Sequence, residues 1–441
     1  MASIDIVAVV LVLAALLGAI NDRYVRLPAP IGMLLGSLVL ALLLAGADVA
    51  LSLHLLGPIR DALSAADLPH VFLDWVLALL LFAGSLHVDL PALRRHVGII
   101  TVLATAGVVI STTVFCVGLW LLLVAIGIRV PIAWCFVLGA ILAPTDAVVV
   151  ETLLGRSKMP ASTRAAIVGE SLFNDGAGVV LFLVALRVAH GETGLLGHGR
   201  IGLAMAEQLI GGAALGCACG ALAGWTMRRV ADDAVRMIVS LALVVGCYRL
   251  ADACEVSGPV AVVSAGLLLG YLLRSGFAAS AGPDGVPAAA AQGPIVAFWS
   301  LLDRVLNLGL FLLIGVEVLA LIVNSRELAV AAACVPLSLA ARAISVGVPS
   351  AISGRSLRVV TRQTTVLTWA GMRGGVSIAL ALTMPVTIFR GQLLVICYTV
   401  VLFSIIVQGL TLPALLSRLY RGDPAEPQAA SDFTSAAELP G

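Results

Sequence analysis

Four polar side chains lie within six residues inside a long apolar run between about residues 161 and 189: Glu170, Ser171, Asn174 and Asp175. The run is long enough to cross a bilayer, which takes roughly 20 residues. An ionisable side chain at the bilayer centre costs about 2.5–3.5 kcal/mol, so two of them on one helix need partners or a use. Ser171 and Asp175 lie four residues apart on one helical face, whereas Glu170 and Asn174 occupy the neighbouring stripe. We therefore expect Asp175 to point into a cavity beside Ser171, and Glu170 to pair with a cation elsewhere.

A second acid lies in the preceding apolar run, next to a proline that breaks the helix. Pro144 has no N–H and disfavours helical geometry at the residue before it, so Thr145 and Asp146 fall at the break. The break therefore offers backbone carbonyls without helical partners, the Thr145 hydroxyl and the Asp146 carboxylate. A hard cation prefers oxygen ligands of these kinds. The residues that we expect to form a cation site are Asp175, Asp146, Ser171 and Thr145. A buried carboxylate that titrates near neutral pH holds a proton or a cation but not both, and this competition is the physical basis of exchange.

The composition is that of a membrane protein with many spans. Of 441 residues, 61% are hydrophobic and 12% are charged, with a mean hydropathy of +1.10, whereas soluble domains carry about 25% charged residues. A net charge of +1 gives no reason to expect a nucleic-acid partner. The eight cysteines are scattered without a CxxC pair, which favours buried apolar side chains over a metal site or disulfide. Because the sequence has no nucleotide-binding loop and no nucleophile–base pair, we expect neither an enzyme nor a cofactor.

We predict an all-α polytopic fold with about thirteen transmembrane helices. Their approximate limits are 4–20, 28–45, 71–90, 98–126, 132–152, 162–189, 201–225, 234–251, 258–273, 295–322, 328–350, 364–387 and 392–417. They form one transporter domain at 1–418, followed by a short disordered cytoplasmic tail at 419–441. If the N-terminus is outside, sixteen lysines and arginines fall in inner loops and seven in outer loops, so we expect the N-terminus outside and the C-terminus in the cytoplasm.

Two of these spans are interrupted at corresponding places. The fifth contains Pro144, and the twelfth contains the glycine-rich segment GMRGG at 371–375. If residues 4–190 and 234–418 are two inverted halves joined by a linker helix at 201–225, the two breaks are equivalent. Paired broken helices in inverted repeats are typical of a transport site near the bilayer midplane, where the loosened backbone needs a cavity or neighbouring protein.

Three segments carry a resemblance to a known family. APTDA at 143–147, GESLFNDGAGVVLF at 169–182 and GMRGGVSIALAL at 371–382 resemble the monovalent cation:proton antiporters of the NhaP and sodium/proton exchanger type. The resemblance implies thirteen spans, inverted repeats with discontinuous crossing helices, a six-helix core domain, a dimerisation domain, a homodimer in the cell (inner) membrane, and alternating access. It also implies that Asp175 and Asp146 hold the transported Na+, with oxygens contributed by Thr145 and Ser171.

The other polar residues have supporting roles in this interpretation. The resemblance implies an arginine partner for Glu170, either Arg342 or Arg373, and the family pattern favours Arg342. Arg373, flanked by glycines at the break of the twelfth span, would then satisfy carbonyls or steady Asp146. Because Asn174 is an amide, only one acid of the sixth span can release a proton at the site, so charge balance favours electroneutral exchange of one cation for one proton.

One position in the third span leaves the choice of ion open. Some relatives have a glutamate in an LFEG-like segment, where this sequence reads Leu81-Phe82-Ala83-Gly84. A site with one carboxylate fewer binds its ion more weakly or selects another. We therefore predict exchange of Na+ or Li+ for H+, with K+/H+ exchange on the same scaffold as the alternative. A channel or an anion symporter of similar fold is a more distant alternative, since an anion site would want unopposed arginines where this chain has acids.

Overall fold

In the computed structural model, every regular element of the described residues is helical. The structure describes residues 3–51, 75–88, 90–95, 97–146, 150, 153, 159, 161–191, 200–279, 288–318, 324–352 and 357–420. The helices are α1 (Ser3–Ile20), α2 (Ala29–Leu51), α3 (Leu77–His87), α4 (Leu90–Arg95), α5 (Val97–Ala125), α6 (Ile132–Ile141), α7 (Ala161–Ala189), α8 (Arg200–Met227), α9 (Asp233–Ala253), α10 (Gly258–Ala279), α11 (Ala288–Glu317), α12 (Ser325–Ile352), α13 (Leu357–Ala370), α14 (Gly375–Leu382) and α15 (Arg390–Leu419).

The helices overlap the spans predicted from the sequence, but the count of thirteen spans stays a prediction. Within the described chain, ten helices are long and apolar enough to cross a bilayer, and α13 with α14 forms a further span bent by 54°. The apolar helices α3 and α6 are shorter, with 11 and 10 residues. The prediction of an all-α polytopic membrane protein is therefore confirmed. The inverted repeats, the linker helix and the domain limits stay predictions, and the predicted tail beyond residue 420 lies outside the described residues.

Hydroxyl side chains sit inside these apolar helices without breaking them, because the helix itself supplies their hydrogen-bond partners. The Ser345 hydroxyl donates to the Arg342 carbonyl at 2.9 Å, and the Thr113 hydroxyl donates to the Val109 carbonyl at 2.8 Å. Bonds of this type satisfy a polar atom where lipid offers no partner. Polar side chains that instead reach another helix are therefore the ones that position a site.

Two apolar clusters hold the helices together. The larger lies among α2, α5, α6, α7 and α11 to α15. The smaller lies among α3, α8, α9, α10 and α11, where the ring centroids of Phe82 and Trp299 are 4.6 Å apart. The elements that carry the predicted cation site, α6, α7, α13 and α14, all contribute to the larger cluster. That cluster therefore fixes the relative positions of the site residues.

A ladder of glycines on α8 packs within the chain. A Cβ added at Gly212 would come within 2.7 Å of the Ser257 carbonyl oxygen, and one at Gly220 within 2.8 Å of the Ala265 carbonyl oxygen. Small residues at four-residue spacing let two helix backbones approach closely. This glycine face of α8 is thus occupied by α10 of the same chain.

Candidate cation site

The segment that follows α6 in the predicted fifth span contacts the break between α13 and α14, and this contact is called the crossing. The backbone of the fifth span leaves helical geometry after α6, and that of the twelfth leaves it between α13 and α14. At the crossing, the Asp146 N–H donates to the Met372 carbonyl at 2.7 Å. Gly374 lies so close to the Asp146 carboxylate that a Cβ there would overlap it. A glycine is therefore required at 374 for the two breaks to meet.

Arg373 satisfies the loosened backbone on both sides of this crossing. Its guanidinium donates to the carbonyls of Ala143 and of Pro144, the latter at 2.9 Å. Its own backbone N–H donates to the Ser404 hydroxyl on α15 at 2.6 Å. The side chain is buried, so these bonds replace contacts with water that the lipid-embedded core cannot provide. Arg373 thereby ties the break of the twelfth span to that of the fifth.

The polar stripe of α7 holds Thr145 at three points. The Thr145 N–H donates to the Asn174 amide oxygen at 3.2 Å, and the Asn174 amide nitrogen donates to the Thr145 hydroxyl at 2.7 Å. The Ser171 hydroxyl donates to the Thr145 carbonyl. The four-residue spacing predicted that Ser171 and Asn174 lie on different faces of the helix. They are three residues apart, however, and both form hydrogen bonds with Thr145. Both hydroxyl oxygens keep lone pairs that a cation can use.

Glu170 pairs with Arg342 of α12. The Arg342 guanidinium donates to both carboxylate oxygens, with Nη2 to Oε2 at 2.8 Å, and the Arg342 and Glu170 side chains are only 7% and 2% exposed. Nη2 also donates to the Leu367 carbonyl of α13 at 3.4 Å. The structure thus places Arg342, and not Arg373, against Glu170. This acid has both oxygens engaged, so it links α7, α12 and α13.

Asp175 differs from Glu170 in having an oxygen without a hydrogen-bond donor. The residue is 8% exposed, and its Oδ1 atom is buried with no hydrogen-bond partner among the described residues. Asp146 lies near enough to interact with it electrostatically and is partly exposed. A buried carboxylate oxygen that lacks a protein donor, beside a second carboxylate, is a place where a proton or a cation is stabilising. The predicted site residues of α7 and of the fifth span are therefore brought together.

Comparison with known proteins identifies the family. The model of the transmembrane sodium/hydrogen exchanger family matches residues 10–418. The chain belongs to the sodium/hydrogen exchanger family. This exchanger is 36% identical over 429 residues to the Na+/H+ antiporter NhaP of Pseudomonas aeruginosa, across 96% of this chain and 98% of that protein. It is 28% identical to the Na+/H+ antiporter NhaS2 of Synechocystis, across 95% of this chain and 71% of that relative. The resemblance inferred from the three motifs is confirmed.

A solved structure shows that the fold is shared more widely. The sodium proton antiporter MjNhaP1 of Methanocaldococcus jannaschii matches the exchanger with a TM-score of 0.69 over 95% of this chain and 98% of that one, at 21% identity. Similarity at this level of identity establishes the arrangement of helices. The relatives named above are antiporters and not enzymes.

Sequence reasoning missed two residues that support the exchanger's crossing from α15. Ser404 and Gln408 bound a π-helical turn, and the Gln408 amide donates to the Trp369 carbonyl at the end of α13, at 3.2 Å. Ser404 accepts the N–H of Arg373. Turns of this kind inside α-helices are frequent at functional sites. A serine and a glutamine four residues apart within the apolar stretch 400–410 of the last span are the signal that could have revealed them.

The side chain at position 83 has no oxygen that could bind a cation. Ala83 is buried in the smaller apolar cluster, together with Phe82 and Trp299. Among the described residues, the candidate cation site is therefore built from α7 and the two breaks.

Proposed function

We propose that the chain is a secondary antiporter that exchanges Na+, or Li+, for H+ across the cell (inner) membrane. The observation that carries this proposal is the buried Oδ1 of Asp175, which has no hydrogen-bond partner among the described residues and lies beside Asp146 at the crossing of two broken spans. A proton on Asp175 and a cation bound to it are mutually exclusive, so loading one ion releases the other. The antiporter names of the similar proteins support the same reaction.

The ligands in this proposal are the oxygens already gathered at the crossing. Asp175 and Asp146 provide charge, and Ser171 and Thr145 provide hydroxyl oxygens, as hard monovalent cations prefer. Asn174 acts indirectly, because its amide holds the Thr145 backbone and hydroxyl in place. Asn174 is thus a positioning residue, and it adds no charge of its own.

Charge balance at the crossing supports a ratio of one cation to one proton. With every acid ionised, three carboxylates (Glu170, Asp146 and Asp175) face two guanidinium groups (Arg342 and Arg373). Among these five described groups, one bound Na+ or one proton brings the summed charge to zero, whereas without either ion the five together carry a net charge of −1. Moving that charge through a low-dielectric region is costly, so the empty site crosses slowly and exchange stays coupled.

Electroneutral exchange predicts that the membrane potential does not affect the rate. Proteoliposomes clamped at different potentials with K+ and valinomycin would be loaded with the same Na+ gradient, and the proton flux compared. The flux should be unchanged, because each loaded state carries no net charge. A clear dependence of the flux on potential would rule out one-for-one exchange.

The proposal includes an orientation, an assembly and a transport cycle. The excess of basic residues in alternate loops supports an outer N-terminus and a cytoplasmic C-terminus. A homodimer and alternating access by movement of a core domain follow from the resemblance to the family. K+/H+ exchange on the same scaffold is the second candidate, favoured by the apolar packing of Ala83 where some relatives carry a glutamate.

The decisive experiment uses purified protein in proteoliposomes with a pH dye in the lumen. Gradients of Na+, Li+ and K+ would be imposed in turn on wild type and on Asp175→Asn, with Glu327→Gln as a control for loss of a carboxylate elsewhere. Proton movement driven by Na+ or Li+ and lost only in Asp175→Asn is the expected result. Movement with K+ alone would reassign the cation. Folded protein that moves protons with none of them would contradict antiport.

A further inference from the structure

Glu317 is a carboxylate at the C-terminal end of a helix, where the helix dipole makes the electrostatic potential negative. Glu317 is the last residue of α11 and is half-buried. The final carbonyls of a helix lack partners and carry partial negative charge, which makes an acid there unfavourable unless a cation is near. Arg390, at the start of α15, donates to the Leu382 carbonyl at the end of α14 at 2.8 Å and interacts electrostatically with Glu317. The ends of α11 and α14 therefore converge near this carboxylate.

Arg390 does not neutralise Glu317 by direct contact. Its guanidinium donates to the Leu382 carbonyl, and within the described part of the chain it forms no ion pair with the acid. Among the described residues, the positive groups found near Glu317 are Arg390 and the N-terminal end of α15, set against one carboxylate and two helix C-termini. The balance favours an added cation.

Buried polar atoms at and just before the start of α15 also lack protein partners. The Tyr398 hydroxyl, in a residue 2% exposed, has no hydrogen-bond partner among the described residues and interacts electrostatically with Glu317. Three further side-chain atoms within residues 387–398 are buried without a hydrogen-bond partner among the described residues: Thr387 Oγ1, Arg390 Nε and Gln392 Nε2. Because buried polar groups are almost always bonded to protein or to water, this concentration indicates bound water or an ion.

The Glu317 cluster is linked to the crossing through α14. This helix of 8 residues starts at the break beside Asp146, and it spans about 12 Å at 1.5 Å per residue. Near its start, the Ser377 hydroxyl is buried without a partner among the described residues, and the Ser377 carbonyl accepts from the Cys397 thiol at 3.7 Å. Tyr398 follows Cys397 directly. α14 thus carries one buried hydroxyl without a partner near the crossing and contacts α15 one residue before Tyr398.

We propose that the Glu317 carboxylate, set between the C-terminal ends of α11 and α14 and the Tyr398 hydroxyl, is a second holding site for the exchanged monovalent cation. Glu317 lies toward the predicted outer face, and α14 runs from the crossing toward that face. The inference rests on the proposed antiport and extends it: the cation is attracted at Glu317, passes along α14, and exchanges for a proton at Asp175.

The test measures the Na+ concentration that gives half-maximal exchange on each face, in right-side-out and everted membrane vesicles. Glu317→Gln should raise this concentration on the outer face by about threefold or more, the effect of losing one partly exposed charge partner, and leave the inner face unchanged. Tyr398→Phe should shift it in the same direction by less. Glu327→Gln, a matched acid at the start of α12 on the same predicted face, should have no effect.

Arg390→Gln distinguishes a cation site from a structural ion pair. If Glu317 holds a cation, removing the competing guanidinium lowers the outer half-maximal concentration, opposite to Glu317→Gln. If the two residues only brace the helices, both variants shift the same way or affect both faces equally, and the proposal is overturned. Glu317→Asp keeps the carboxylate, and its outer half-maximal Na+ concentration should lie between those of wild type and Glu317→Gln. This variant keeps the proposal testable if Glu317→Gln folds poorly.

A binding measurement separates failure of this proposal from failure of antiport. Calorimetric Na+ titration of Asp175→Asn in detergent should show one residual weak site, absent in the double variant Asp175→Asn/Glu317→Gln. Equal binding by the two proteins, or none by either, would refute the Glu317 site, whatever the transport assay shows. Loss of exchange in Asp175→Asn tests antiport independently.

Discussion

Two carboxylates five residues apart on α7 have opposite surroundings. Glu170 receives hydrogen bonds from Arg342 on both oxygens. Asp175 keeps a buried oxygen with no hydrogen-bond partner among the described residues and has another acid beside it. Both are costly in a bilayer, but only the first has its cost met by the protein. An intramembrane acid with a fixed partner is therefore structural, whereas an acid without one can bind a proton or a cation.

The largest expected effect separates the two acids by readout. Asp175→Asn should abolish exchange and leave thermal stability near wild type, because no protein hydrogen bond to Oδ1 is lost. Glu170→Gln should lower stability, since breaking a buried ion pair costs about 3–5 kcal/mol. Proton flux in proteoliposomes and thermal unfolding in detergent would be measured on the same preparations. Normal transport by Asp175→Asn, or wild-type stability of Glu170→Gln, would contradict the assignment of one acid to transport and the other to stability.

The next effect concerns the two buried arginines. Arg342→Ala leaves Glu170 unpaired and should lower folded yield and thermal stability by about 3–5 kcal/mol. Arg373→Lys keeps the positive charge and one point of contact with the Ala143 and Pro144 carbonyls. We therefore expect this variant to lose less stability than Arg342→Ala. Size-exclusion profiles and thermal unfolding would compare them. Equal losses would show that Glu170 does not depend on Arg342 in particular.

A double variant provides the control for that pair. Replacing Glu170 by Leu together with Arg342 by Met removes both charges and fills a similar volume, which is often neutral or stabilising. The double variant should recover stability that Arg342→Ala loses. No recovery would indicate that shape, and not the charge pair, holds these helices.

A smaller effect tests how tightly the two breaks meet. Gly374→Ala places a methyl group against the Asp146 carboxylate, and overpacking of this kind costs about 1–3 kcal/mol. Gly391→Ala is the matched control, because nothing lies within 4 Å of its added Cβ. Exchange should slow in the first variant and remain unchanged in the second. Equal rates in both would mean that Asp146 does not need its present position.

The smallest effect concerns the support from α15. Ser404→Ala removes the acceptor of the Arg373 N–H, which should cost about 1–3 kcal/mol for a buried donor left unsatisfied. Ser417→Ala, whose hydroxyl bonds only within its own helix near the surface, should have little effect on unfolding temperature. Thermal unfolding that does not distinguish the two variants would argue that water replaces Ser404.

Local sequence predicted the elements better than their meeting points. Pro144 and the segment at 371–375 marked both breaks, and the acids on α7 marked the site, since each signal is contained within a few residues. The partner of Glu170 lies 172 positions away, so only packing could choose Arg342 over Arg373. Helical spacing likewise predicted which residues of α7 share a face. It could not predict that Thr145 lies between Ser171 and Asn174, because that position depends on how the segment after α6 packs against α7.

Competition at Asp175 is tested most directly by counting the protons released when Na+ binds. Purified protein in weakly buffered detergent solution would be titrated with NaCl, with choline chloride as the ionic-strength control, and the pH change converted to protons per Na+ bound. At a pH where Asp175 is protonated, wild type should release about one proton per cation, and Asp175→Asn should release none. Na+ binding to wild type without proton release, or unchanged release from Asp175→Asn, would contradict the competition on which the proposed exchange depends.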